Sequence, residues 1–291
     1  VDLLWNGGIG TYVKAASESN ADVGDRANNV LRINGDDLRC KIVGEGGNLG
    51  FTQKGRIEAA RKGVLLNTDF IDNSAGVDTS DHEVNIKILL GLPVAQGELT
   101  AKQRNAILPQ MTDDVARLVL RDNYGQTQVI SVTGRVAPQL LDAQQRLMQF
   151  LEKAQRLDRA LEFLPSDEVI AERRASGQGL VSPERAVMLA YSKIWLNDEL
   201  VASPLPDDPW VATTLIRYFP TLLQERFQQW MNQHPLRREI IATYVTNSTV
   251  NRVGSTFVHR IVESTGAQPW EVVRAYLLAR ENLGLVSLWQ A

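Results

Sequence analysis

The segment from Lys41 to Lys87 constrains the fold more than any other. It runs as a short apolar strand, a glycine turn from Gly44 to Gly50, an amphipathic stretch to Gly63 and a second apolar strand from Val64 to Asn67. A second polar turn, Asp69 to Ser80, then leads into another helix. Strands that read as continuous apolar runs, joined by helices of about a dozen residues, belong to parallel sheets covered on both faces. Ligands of such sheets lie beyond the carboxyl ends of the strands, which places function at Gly44 to Thr52 and Asp69 to Ser80.

Local signals extend the pattern. Val1 to Trp5 reads as a further strand, and Asn6-Gly7-Gly8-Ile9-Gly10-Thr11 follows it as a turn tolerant of positive φ. Ser17 to Asn29 is polar and irregular or partly helical. Asn34-Gly35 carries the two-residue hairpin signal and predicts a small ribbon between Val30–Ile33 and Leu38–Cys40. Thr52 is expected to cap a helix with Ile57, Ala60 and Val64 on one side, closed by Gly63. Ser80-Asp81-His82-Glu83 has capping-box spacing, so a helix is expected from there to Gly91.

From Leu99 onward strand signals disappear. Thr112-Asp113-Asp114, Ser182-Pro183-Glu184 and Asp208-Pro209-Trp210 mark helix starts, and Pro138 to Leu164 carries a helical repeat of apolar positions. Asn197 to Asp208 reads as a loop. The expected division is therefore an α/β domain over residues 1–95 and an all-α domain over 96–291, in keeping with two cores for 291 residues. A net charge of −3 disfavours nucleic acid as a partner. No apolar run approaches the roughly 18 residues of a membrane span and no secretory signal opens the chain, so a cytoplasmic location is the expectation. Cys40, the single cysteine, is expected to be a buried, unreactive thiol. Because Val1 already lies in a strand-like run, the chain is expected to be cut from a longer polypeptide.

Several candidate sites compete with plainer readings. Gly44-Glu-Gly-Gly-Asn-Leu-Gly50 fails the spacing of the dinucleotide fingerprint, which needs glycine where Leu49 stands. A tight turn or a phosphate cradle are its two readings. Asn48 is more informative, since an amide that both donates and accepts suits a carboxamide or a ribose hydroxyl. Asp69, Asp72, Asp78, Asp81 and Glu83 form an acidic cluster without the EF-hand pattern; solvated or capping roles are expected, and no metal. His82-Glu83 lacks the second histidine of a metalloprotease helix, where Ile86 stands. Ser80 reads as a cap whose hydroxyl could face a carboxylate. His234, His259 and the aromatic residues Trp195, Trp210, Tyr218, Phe219, Phe227 and Trp230 read as structural, and Asn247 with Asn251 as cross-links or solvent-facing amides.

Glu45-Gly46-Gly47-Asn48 followed by a helix, then Asn73-Ser74-Ala75-Gly76-Val77 leading to Ser80, resembles two late strand-end motifs of amino-acid dehydrogenases of the glutamate dehydrogenase type. In that superfamily the turns read Glu-Gly-Ala-Asn and Asn-Ala-Gly-Gly-Val, with a serine three residues on. Asp2 to Lys14 and Ile71 to Lys87 look most like the large bacterial NAD-specific glutamate dehydrogenases, and the helical remainder resembles their C-terminal extension. The resemblance implies a partial Rossmann-like parallel sheet and NAD as cofactor. It implies Asn48 and Asn73 on the nicotinamide side of the cleft, Ser80 on the substrate carboxylate, and Gly46, Gly47 and Gly76 keeping the cleft clear. Leu49-Gly50-Phe51 departs from the usual Gly-Pro after the asparagine, and Ser74-Ala75 from Ala-Gly.

The implied reaction is oxidative deamination of L-glutamate to 2-oxoglutarate and ammonia. The family's fingerprint strand, acidic ribose-binding residue, lysines and catalytic aspartate belong upstream, so no catalytic residue is placed in this chain and no turnover is expected from it alone. A homo-oligomer is the expected assembly. Two other readings compete: a non-catalytic helical assembly or regulatory module, and a dehydrogenase for an apolar amino acid such as leucine.

Overall fold

The computed structural model describes residues 1–290. Four short strands form, β1 (Leu3–Asn6), β2 (Val13–Lys14), β3 (Ile33–Asn34) and β4 (Ile42–Glu45). β1 pairs in parallel with β4, Leu3 opposite Ile42 and Asn6 opposite Glu45. β2 pairs in parallel with β3. The expected strand Val64–Asn67 shrinks to one parallel bridge, Leu65 opposite Ile42. Its hydrogen bonds are nonetheless regular: the Val43 amide donates to the Leu65 carbonyl and the Leu65 amide to the Lys41 carbonyl, each at 2.9 Å.

The sheet is covered on one side only. Val13, Val43, Phe51, Ala59, Val64 and Leu66 pack into a core, whereas Trp5 and Leu65 are 61% and 66% exposed. This corrects the expectation of a sheet covered on both faces. The Asn34-Gly35 hairpin is also overturned. Asn34 pairs in parallel with Lys14, and Gly35 opens a single 3-10 turn whose backbone lies against Gly55, where an added Cβ would meet the Gly55 carbonyl oxygen at 2.6 Å. Glycine serves close packing there, not a reversal of the chain.

Helix α1 (Gln53–Arg61) forms as its signals require: Thr52 Oγ1 accepts from the Gly55 amide at 3.0 Å, and Gly63 takes a φ of +93°. After a single turn at Asp69–Asp72, helix α2 spans Ser74–Ala95. The cap expected at Ser80 is therefore wrong, and the helix runs beyond Gly91. Ser74 Oγ donates to the Ile71 carbonyl and accepts from Gln126, which favours a start two turns earlier. Ser80 Oγ instead donates to the Gly76 carbonyl inside the helix, at 3.1 Å.

The longer helices that follow are α3 (Thr112–Arg135), α4 (Ala137–Lys153), α5 (Asp167–Ala175), α6 (Ser182–Ala202), α7 (Arg237–Val253), α8 (Phe257–Thr265) and α9 (Pro269–Asn282). The apolar repeat expected to reach Leu164 ends as a helix at Lys153, and Leu161 is 70% exposed. The loop expected over Asn197 to Asp208 begins only after Ala202, because Leu196 and Leu200, one helical turn apart, keep an apolar stripe buried and carry α6 on to Ala202. Ser182 does not cap α6; Glu184 Oε2 accepts the Val181 amide at 2.8 Å. Asp208 does cap, accepting the Trp210 amide at 2.9 Å. Cys40 is half-buried beside the sheet core rather than fully enclosed.

The chain divides into two compact units. One comprises residues 1–74, 125–192 and 254–256 and holds every described strand; the other comprises 75–124, 193–253 and the residues from 257 on, and is helical. A small parallel sheet with helices thus precedes a helical remainder. Among the described residues no helix is long and apolar enough to cross a membrane.

Candidate functional site

β1 and β4 run in the same direction and end side by side at Asn6 and Glu45, so the turns that leave them emerge at one rim. The Gly47 amide donates to the Asn6 carbonyl at 3.0 Å, and the Tyr12 amide to the Gly50 carbonyl at 2.8 Å. Thr11 Oγ1 donates to the Leu49 carbonyl at 2.7 Å. The third turn arrives from the bridge at Leu65: Asn73 Nδ2 donates to Asn48 Oδ1 at 2.5 Å. The turns around Gly8, Asn48 and Asn73 therefore converge, and the two asparagine amides touch.

A buried charge network holds them. Arg56, on the inner side of α1, donates from Nε to Glu45 Oε2 at 2.7 Å and from Nη2 to Glu45 Oε1 at 2.9 Å. The same Nη2 lies 3.2 Å from Asp69 Oδ1. Asp69 Oδ2 accepts the Leu49 amide at 2.7 Å, and Asp72 Oδ2 accepts the Glu45 amide at 3.0 Å. Burial pushes the Glu45 and Asp72 carboxyls above their usual range, the first despite Arg56 and the second despite the Glu45 amide. Asp69 and Asp72 are thus fasteners of backbone, not solvated members of an acidic cluster. In the sequence Glu45 stands only as the first residue of a strand-end motif and Arg56 in none; its one signal is an arginine beside Ile57 and Ala59 on the buried side of α1.

Strain sits beside Asn48. Leu49 has a φ of +59°, a left-handed conformation that costs a branched residue roughly 1–2 kcal/mol, and its amide and carbonyl are both held by the bonds above. An added Cβ at Gly47 would come within 2.5 Å of the Gly8 carbonyl oxygen, and one at Gly46 within 2.4 Å of the Trp5 ring. Gly47 lets the Gly8 turn approach, and Gly46 leaves room for the Trp5 ring of β1. Gly76 faces open space, and Gly76 and Ser80, both exposed on α2, belong to the second compact unit.

Residues 1–133 match the family model of the bacterial NAD-glutamate dehydrogenase catalytic domain, and residues 177–291 that of the glutamate dehydrogenase C-terminal domain. Each of the two stretches thus resembles a part of the bacterial NAD-glutamate dehydrogenases. It is 52% identical over 290 residues to the NAD-specific glutamate dehydrogenase of Halomonas elongata, 54% over 281 to that of Pseudomonas aeruginosa and 47% over 290 to that of Mycobacterium tuberculosis. These alignments cover 100%, 97% and 100% of this chain and 18%, 17% and 18% of those proteins. The chain thus spans less than a fifth of the length of the curated relatives it matches. In this chain Gly46, Gly47, Asn48 and Asn73 share one rim, while Gly76 and Ser80 follow on the next helix.

Proposed function

We propose that this chain contributes the nicotinamide-facing wall of the NAD site in an NAD-dependent glutamate dehydrogenase. Residues 1–95 would be the C-terminal half of a Rossmann-like dinucleotide-binding domain and 96–291 its helical C-terminal domain. What supports the reading most is the contact between the Asn48 and Asn73 amides at the carboxyl ends of parallel strands, where such sheets hold their ligands.

Asn48 and Asn73 would orient the nicotinamide and its ribose, Gly46, Gly47 and Gly76 would leave room for it, and Ser80 would hold the substrate carboxylate. NAD held there would supply a hydride acceptor for the oxidative deamination of L-glutamate to 2-oxoglutarate and ammonia. The protein's share is orientation and exclusion of misaligned encounters. The enzyme is proposed to be cytoplasmic and homo-oligomeric, with no nucleic-acid or membrane partner.

The test is steady-state kinetics on the intact enzyme. Losing one neutral hydrogen bond in Asn48→Ala or Asn73→Ala should lower kcat/KM for NAD by about 2- to 12-fold. Losing a bond to a charged group in Ser80→Ala should lower kcat/KM for glutamate by about 10- to 150-fold, with little change for NAD. Unaltered kinetics in all three variants would overturn the assignment.

A further inference from the structure

The five acidic residues grouped in the sequence separate in space and in role. Asp69 and Asp72 fasten the rim, and Asp81 Oδ2 accepts the Tyr218 hydroxyl at 2.7 Å. Asp78 has neither duty. It stands one helical turn before His82 on α2, and Asp122 of α3 joins the pair. One carboxylate oxygen from each aspartate and one imidazole nitrogen all lie within 4.8 Å of one another.

The histidine is held in place but not satisfied. His82 is 3% exposed, and its ring stacks on Tyr218 with centroids 4.5 Å apart and planes 23° apart. Tyr218 is fixed in turn by Asp81 and by Asn85 Nδ2, which donates to its hydroxyl at 2.9 Å. His82 Nδ1 and Asp78 Oδ2 are both buried without a hydrogen-bond partner among the described residues. His82 Nε2 points to Asp78 Oδ1 at 3.9 Å, beyond hydrogen-bond reach. Buried polar atoms are rarely left unpaired, and here they belong to a ring locked by packing and a carboxylate beside it.

We propose that Asp78, His82 and Asp122 bind one divalent transition-metal ion, Zn2+ or Mn2+, which joins α2 to α3. Two ligands at i and i+4 on one helix with a third from another helix leave open positions for water, and a nitrogen with two carboxylates suits these ions better than Ca2+ or Cu+. Bonds of about 2.1 Å in a tetrahedral shell space ligand atoms by roughly 3.4 Å, so the three groups need to close by about an ångström.

The local charge is compatible with a guest cation. Burial, with Asp122 and Asp81 adding to it, raises the Asp78 carboxyl to about 6, and burial lowers the His82 imidazole, which favours the neutral ring that coordinates metal. Two cations face the group: Arg121, whose Nε lies 3.5 Å from Asp122 Oδ1, and Lys193, whose ammonium burial lowers to about 8. Neither makes an ion pair with Asp78 among the described residues. The bound ion would stiffen the helix that carries Ser80, but the site needs neither NAD nor glutamate.

The intact enzyme, stripped with a chelator and titrated with Zn2+ or Mn2+ under equilibrium dialysis, should bind one equivalent that the His82→Ala variant and the Asp122→Asn variant each weaken by at least about 10-fold, a loss that even outer-shell changes can produce. Asp113→Asn, on the same α3 and exposed, should bind as the parent does. Asp122→Asn keeps the side-chain shape, so it decides the matter if His82→Ala fails to fold, with circular dichroism of the metal-free proteins as the check. Equal stoichiometry and affinity in parent and Asp122→Asn would overturn the site. Because metal content is read directly, failure here leaves the cofactor assignment standing, and the reverse.

Discussion

Replacing Arg56 by methionine removes the one cation that serves two buried carboxylates while keeping the side chain's apolar length. Glu45 and Asp69 are 0% and 7% exposed, and Arg56 provides two charge-assisted hydrogen bonds to the first and a close ion pair to the second. Removing one partner of such a buried group costs about 3–5 kcal/mol. The cost falls on the rim, because the Leu49 amide is held by Asp69 and the Glu45 backbone by Asp72. Amide hydrogen exchange of the intact enzyme reads it directly: peptides covering residues 43–51 should exchange about 150- to 5000-fold faster, the same free energy expressed as a local opening constant.

The pH dependence supplies a second reading. Burial already raises the Glu45 carboxyl, and loss of Arg56 raises it further. A carboxyl raised in the folded state destabilises that state as pH climbs from the ordinary glutamate value of about 4.3 through its raised folded pKa, so the excess exchange of Arg56→Met should grow as pH rises above that ordinary value and level off once the folded carboxyl is ionised. Glu45→Gln in the Arg56→Met background removes the stranded charge and should return much of the protection. Unchanged exchange over 43–51 in Arg56→Met, or no recovery in the double variant, would refute the view that this network fastens the rim.

Three other outcomes follow from the same geometry. Gly47→Ala drives a Cβ onto the Gly8 carbonyl oxygen and should loosen both turns by about 1–3 kcal/mol of exchange protection, whereas Gly46→Ala meets only the exposed Trp5 ring, which can swing aside, and should cost under about 1 kcal/mol. Leu49→Gly relieves the left-handed strain but adds backbone entropy to the unfolded chain; the two offset, so the kinetic constants for NAD should stay within about twofold. Hydrogen bonds from Arg159, Gln145 and Gln149 hold the Asp167 carboxyl well below the usual range, so its support is present at neutral pH and fades as pH falls below about 4; the stability gap between parent and Asp167→Asn should close on acidification.

Much of the rim was legible because local chemistry decides it. Thr52 caps α1, Gly63 ends it, and the strand-end turns meet as the alternation of strand and glycine implies. The misses share a cause, which is contact between residues far apart in sequence. Asn34-Gly35 has every short-range mark of a hairpin, yet packing against Gly55 and pairing with Lys14 override it. Ser80 has capping-box spacing, yet Gln126, 52 residues beyond Ser74, bonds to Ser74 at the helix start. The roles of the aspartates could not be sorted by position either, since Asp69 and Asp78 differ by what stands opposite them: Arg56 for one, His82 and Asp122 for the other.

The distribution of charge explains how so slight a sheet can present an ordered rim. Only eight residues pair between β1 and β4, four on each strand, and the third pass contributes a single bridge. Ladder bonds on that scale do not hold a glycine-rich turn, because two-stranded arrangements are marginal alone. Arg56 reinforces so short a ladder by reaching from α1 to Glu45 at the end of β4 and to Asp69 beyond the Leu65 bridge, and Asp69 in turn takes the Leu49 amide. A neutral turn sequence with the same glycines but without Glu45, Arg56 and Asp69 would keep the freedom to bring Asn48 near Asn73 and lose what keeps it there. The positioning of the two amides therefore depends on side chains buried behind them more than on the turn itself.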